Sequence, residues 1–243
     1  DLYLRDGDKR PWLNNDLQSF TPLRFAPPQL MGYEGRAVAQ DPDIFAVGDI
    51  NELLDRDMEG KAIVCRPKSG AKARKGAWAS SVMLLDCAKL THWEFEREFN
   101  EMFVPAKRDY MDWVSLKLED PATIGLLESC WNDFDHLDEH TKLLHNTKRK
   151  TQPWKTGLPI DYRPADTFQL FPPRHWLRRA RRTLFGDYKF AGRYAKHPDP
   201  AQEKFFFDLV RECLQDGVLT EDQLRDEIRQ GHVREDALRL VGT

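Results

Sequence analysis

The chain has 243 residues, 40 % of them apolar, and a formal net charge of −3. That length suits one large domain, or one domain with an extension, around a substantial core. No apolar run reaches the roughly 18 residues that a membrane-spanning helix needs, and no signal-peptide pattern is visible at Asp1. The four cysteines, Cys65, Cys87, Cys130 and Cys213, stand far apart without a Cys-x-x-Cys pair. Cys65 and Cys87 fall in apolar strand candidates, where reduced, buried thiols are common. This usage reads as a reducing, cytoplasmic setting with no zinc site.

Residues 1–17 are polar and carry Gly7 and Pro11. The next stretch, Gly35 to Asp49, is the most informative. A strand candidate, Arg36–Gln40, runs into Asp41 and Asp43, and a second apolar run, Ile44–Val47, follows. Two carboxylates flanking a turn at a strand end can share one hard cation. Oxygen ligands of this kind suit Mg²⁺ or Mn²⁺, and such an ion usually also holds substrate phosphates. Asp-Pro equally starts plain turns, and the residues alone leave both readings open. Asp49 and Glu52 resemble a capping box that opens a short helix. Ala62–Arg66 and Val82–Asp86 read as further strands of a mostly buried sheet.

Thr91-His-Trp-Glu opens another helix. Its Phe95, Phe99, Met102 and Phe103 recur at helical spacing, which places one face on the sheet. Asp109 to Leu118 is a third helix candidate, while Ala122 to Asn132 and Leu143–His145 are ambiguous. Strands interleaved with helices predict an α/β layered domain. Between Thr141 and Ile160 stand Lys142, Lys148, Arg149, Lys150 and Lys155 with no acid. Such a loop either stabilises departing phosphate charge or is simply solvated. The basic run Arg66 to Lys75 either covers a ligand or is likewise solvated.

Residues 155–173 are Pro-rich and read as a boundary segment. From Arg174 to Lys196 the basic residues are Arg174, Arg178, Arg179, Arg181, Arg182, Lys189, Arg193 and Lys196, against one acid, Asp187. With Trp176, Leu177, Leu184 and Phe185 interleaved, the segment suits an anionic membrane surface; a solvated face is the competing reading. No nucleic-acid-binding motif is present. Pro200 to Asp216 predicts a helix with Asp199 as N-cap and Gly217 as stop. Thr220 and Gln223 predict a capping box for the next helix, stopped by Gly231, and a last short helix follows His232.

Taken in order, several segments resemble metal-dependent, retaining glycosyltransferases of family eight, the glycogenin and lipopolysaccharide galactosyltransferase type with a GT-A fold. Ser19 to Phe25 looks like that family's Phe-x-x-x-Arg-Phe helix. Gly35, Arg36, Asp41, Asp43, Gly48 and Asp49 follow its Asp-x-Asp segment, and Ser80 to Asp86 follows its donor-side strand. Asp109 to Trp113 is similar to its Asp-Gln-Asp segment, and Trp131 to Phe134 to the segment before its His strand. Leu144 to Trp154 is similar to its closing His…Lys-Pro-Trp motif. The resemblance covers roughly residues 15–160.

The resemblance implies a GT-A-like sheet flanked by helices over residues 1–160, with a basic, helical C-terminal extension over 161–243. It implies transfer of a hexose, with retention, from a nucleotide diphosphate sugar to a glycan, lipid or protein acceptor. It assigns Asp41, Asp43 and His145 as ligands of Mn²⁺ (or Mg²⁺), and Arg24, Ser80, Ser81 and Asp112 to the donor. Asp112, Lys148 and Lys150 are the catalytic candidates. A cytoplasmic enzyme, peripheral on the inner face of the membrane, is the matching location. Ser80 stands where the family has Asn, Gln152 where it has Lys, and Trp113 where it has Gln. The family's first nucleotide-binding strand has no counterpart before Arg24. These departures keep a second reading open, a non-catalytic domain of the same fold that binds a partner or a membrane.

Overall fold

The structure is a computed structural model that describes residues 4–5, 10–11, 20–68, 76–104, 106–160 and 192–242. Most of the basic run before Lys75, and the basic segment from Arg174 as far as residue 191, lie outside the described residues. The contacts divide the chain into two units, residues 1–145 and 146–243.

The first unit is mixed α/β. Its strands are β1 (Leu4–Arg5), β2 (Arg10–Pro11), β3 (Arg36–Gln40), β4 (Ile44–Ala46), β5 (Ile63–Pro67), β6 (Trp78–Asp86), β7 (Ile124–Leu126), β8 (Asp133–Phe134) and β9 (Leu143–His145). Strands β1 and β2 form a small antiparallel pair. The main sheet has the order β3-β6-β5-β7, and a three-stranded sheet has the order β4-β9-β8. Strand β6 runs antiparallel to both β3 and β5, and β5 runs parallel to β7.

The main sheet is covered on both faces, and the alternation of side chains shows how. Along β6, Met83 and Leu85 enter one core cluster while Val82 and Leu84 enter the other. The same alternation holds in β5, where Ile63 and Cys65 oppose Val64, and in β3, where Ala37 and Ala39 oppose Val38. A strand with two buried faces reads as a continuous apolar run rather than a two-residue alternation. That is the pattern Ser-Val-Met-Leu-Leu displays.

Phe25, Trp93 and Trp113 fill the first cluster, with Phe25 stacked on Trp113 at 4.5 Å between ring centroids. Helix α1 is Pro27–Leu30, α2 is Asn51–Leu54, α3 is Phe95–Glu101 and α4 is Tyr110–Trp113. Phe95, Phe99 and Met102 pack on the first cluster, as the helical spacing predicts. Leu53 lies at the heart of the second, beside Ile44 and Leu143.

Two local expectations change. The capping box at Asp49 does not form. Asp49 does accept from the backbone N–H of Asn51 at 2.9 Å, but Glu52 turns to Lys142 Nζ at 2.9 Å. Gly48 stands against the same lysine, where a Cβ would meet Lys142 Cδ at 2.5 Å. The expected helix from Asp109 to Leu118 is a single turn. Asp109 caps it by accepting from Asp112 N, and Leu116 at φ 55° takes the chain out of helix.

The second unit carries α5 (Pro200–Gln215), α6 (Glu221–Arg229) and α7 (Ala237–Val241). Asp199 caps α5 and accepts from Ala201 N. Thr220 and Gln223 form the predicted capping box on α6. Gly217 and Gly231 end their helices at positive φ, 70° and 72°, where only glycine lacks the Cβ clash. Phe207, Leu224, Ala237 and Val241 form its core. Among the described residues no helix is long and apolar enough to cross a membrane.

Candidate functional site

The site grows from the end of β3. Asp41 N donates to Ser81 O at 3.0 Å, which carries the β3–β6 ladder one step past Gln40. The turn that follows closes with Ile44 N on Asp41 O at 3.2 Å. Strand β4 then pairs antiparallel with β9, setting Ile44 opposite His145. Strand β8 flanks β9 on the other side, with Phe134 opposite His145. One turn and one strand pair therefore bring the two neighbouring aspartates and the distant His145 together. A ligand atom from each of Asp41, Asp43 and His145 lies within 4.8 Å of the others. His145 Nε2 is 3.5 Å from Asp43 Oδ1 and 3.9 Å from Asp41 Oδ2.

Arg24 closes one side of this group. Its Nε donates to Asp41 Oδ1 at 2.7 Å, its Nη2 pairs with Asp41 Oδ2, and its Nη1 donates to Ser80 Oγ at 2.8 Å. Ser80 in turn donates to Val114 O at 2.7 Å. The planar guanidinium fork makes the two-point contact with the carboxylate that an ammonium would not. Lys68 donates to Ser115 Oγ at 3.0 Å. Burial lowers its pKa below the ordinary lysine value, and the charges of Arg24 and Lys117 push the same way.

On the other side the imidazole is held by Asn132, which is fully buried. Asn132 Oδ1 lies 2.8 Å from His145 Nδ1, and Asn132 Nδ2 donates to Ser81 Oγ at 2.9 Å. Arg66 Nη1 donates to Asn132 O at 2.6 Å, and its guanidinium lies 4.4 Å from the centre of the Phe134 ring. Phe134 meets the His145 ring edge-on at 5.4 Å.

The structure thus joins Arg24, Ser80, Asp41, Asp43, His145 and Ser81 in one network. Asp112 lies on the turn α4, 3.8 Å from Lys117 Nζ. Lys148 and Lys150 belong to the second unit, at the 3-10 turn Arg149–Thr151. Asn132 and Arg66 were not singled out as site residues in the sequence. The Trp131-Asn-Asp-Phe134 segment carried the only hint of the first, and nothing separated Arg66 from the rest of its basic run. A second group, Asp133, His136 and Asp138, also has ligand atoms within 4.8 Å of one another, and it is more exposed. All four cysteines are free, and burial pushes the Cys65 thiol up, which disfavours its thiolate.

No family model matches the chain, and no curated protein matches it. Solved structures similar to it are glycosyltransferases. GlyE from Streptococcus pneumoniae TIGR4 is 15% identical with a TM-score of 0.43, over 55% of this chain and 38% of that one. The galactosyltransferase LgtC, in complex with donor and acceptor sugar analogs, is 13% identical with a TM-score of 0.43, over 59% and 64%. Mouse xyloside xylosyltransferase 1 is 18% identical with a TM-score of 0.37, over 54% and 65%. The match therefore spans less than two thirds of each of these chains.

Proposed function

We propose that the chain is a glycosyltransferase domain that moves a hexose from a nucleotide diphosphate sugar to an acceptor, with retention and with help from a divalent cation. The observation that carries this reading is the convergence of Asp41, Asp43 and His145 at the end of β3, with Arg24 on one of the acids. Two carboxylates and an imidazole suit Mn²⁺, since a nitrogen donor is softer than oxygen; Mg²⁺ is the second choice. The donor set fits such an ion. A carboxylate offers about four lone-pair directions, so Asp41 keeps coordinating capacity beside its two bonds to Arg24.

The cation would neutralise the departing diphosphate. Arg24 and Ser80 would meet the donor beside it, with Ser81 one residue further along β6. Asp112 would take sugar hydroxyls, and Lys148 or Lys150 would add positive charge on the leaving group's side. In this reading the transferring core takes in residues 1–160, and 161–243 is an extension.

The test is sugar-nucleotide turnover with Mn²⁺ added or chelated. Asp43→Asn keeps the side chain's shape and removes the charge the cation needs. The variant should lose metal-dependent turnover while melting, without metal, at nearly the wild-type temperature. Turnover at the wild-type level in Asp43→Asn would refute the metal role. A wild-type chain that neither binds nor turns over any of a panel of nucleotide diphosphate sugars would refute the enzyme.

A further inference from the structure

We infer that Asn132, anchored by Ser81, is a positioning residue that fixes His145 in the Nδ1–H tautomer, with the Nε2 lone pair turned toward Asp41 and Asp43. The inference rests on the cation site proposed above and deepens it. Imidazole binds a cation through an unprotonated nitrogen, and the hydrogen bond made by the other nitrogen decides which one that is.

Five observations point the same way. The Nδ1 contact to Asn132 Oδ1, at 2.8 Å, has hydrogen-bond length. On the opposite edge of the ring, Nε2 stands 3.5 Å from Asp43 and 3.9 Å from Asp41. Those separations are long for direct hydrogen bonds and compatible with two ligands of one ion. Asn132 Nδ2 donates to Ser81 Oγ while Oδ1 faces the ring. Its backbone is pinned as well, since Arg66 donates to Asn132 O. Asn132 is 0 % exposed, and Ser81 and His145 are each 6 % exposed. Bulk water therefore has little room to replace either partner, and a buried amide left unpaired would be costly. Asn132 touches neither substrate nor ion in this account; it acts only through the ring.

The whole chain, labelled with ¹⁵N at histidine and freed of metal, is studied by NMR at a pH where the imidazole is neutral. His145→Gln identifies the His145 signals. The expected spectrum has a protonated Nδ1 and an unprotonated Nε2. In Asn132→Leu the tautomer should reverse, because Nε2–H then has a carboxylate to donate to and Nδ1 has no acceptor. Asn132→Asp, which keeps an acceptor, should preserve the wild-type pattern. A wild-type ring protonated at Nε2 overturns the inference, and this reading needs no variant to fold.

Mn²⁺ affinity, measured by electron paramagnetic resonance, supplies the second readout. Asn132→Leu should weaken binding about 10–100-fold, the usual effect of removing a partner behind a metal-bound histidine. In a His145→Gln background the same change should matter little. Equal losses in both backgrounds would make Asn132 a merely structural residue and overturn the inference. A wild-type chain that binds no Mn²⁺ would instead overturn the proposed cation site, while the tautomer spectrum still decides the role of Asn132.

Discussion

Arg24→Gln separates the two positive charges that compete for Asp41. The side chains of Arg24 and Asp41 are only 15% and 17% exposed. Removing the guanidinium leaves Asp41 without both of its bonds to Arg24 and Ser80 without one donor. Breaking a fully buried pair costs about 3–5 kcal/mol, and an exposed pair contributes at most about 1 kcal/mol. At this partial burial we expect a loss of about 2–3 kcal/mol in the first unit. At roughly 2–4 °C per kcal/mol for a protein of this size, the melting temperature should fall by about 5–10 °C. Mn²⁺ should restore much of it. Without the guanidinium, the ion meets less repulsion beside Asp41, a gain on the order of 1 kcal/mol or more in affinity. Tighter binding to the folded state then appears directly as stability. Arg24→Lys, which keeps the charge and loses the fork, should fall between. The assay is a set of thermal melts of the three chains with and without Mn²⁺. A variant as stable as wild type, or one that gains no more from Mn²⁺ than wild type does, would refute the reasoning.

Two further expectations lie away from the site. Hydrogen bonds from Arg56, at 2.6 and 2.7 Å, hold the Glu128 carboxyl well below the ordinary glutamate value, at about 2. Because the folded value is the lower one, this stability is present above the unfolded pKa and is lost as pH falls from there to about 2. The Glu128 side chain is 57% exposed, so screening keeps the term under about 1 kcal/mol. Arg56→Gln should lower unfolding free energy by that amount near neutral pH and by nothing near pH 2; a pH-independent difference in urea melts would contradict this. Thr220→Ala removes the capping box of α6 and should cost the second unit about 1 kcal/mol. Circular dichroism of thermal unfolding is the check, and an unchanged midpoint would count against it.

Much of the fold was legible because it rests on short-range chemistry. Arg36–Gln40 emerges as a strand with its expected bounds, and Asp199, Thr220 and Gln223 cap their helices as their types suggest. The misses share a different cause. Glu52 had a plausible partner three residues away and found Lys142 instead, which no local pattern reveals. Leu143–His145 is too short to show a period, and it becomes a strand because β4 and β8 pair with it on both sides. At the site, chemistry-bearing side chains stand out in a sequence more readily than the groups that orient them. Aspartates before an apolar run draw notice, whereas Asn132 is an ordinary amide until its two buried bonds are seen. The basic segment near Arg178 lies outside the described residues.

The three-residue pairing of β4 with β9 also sets a clock. It joins parts of the chain about a hundred residues apart, and closing so long a loop is slow and entropically unfavourable before its contacts form. The pairing is only three residues long on each strand, although Ile44 and Leu143 are buried in the second core cluster. A cation shared by Asp41 and His145 would tie the two strands at their common end, much as a crosslink does. Amide hydrogen exchange along Ile44–Ala46 should therefore slow when Mn²⁺ is added, while exchange along β6 stays as it was.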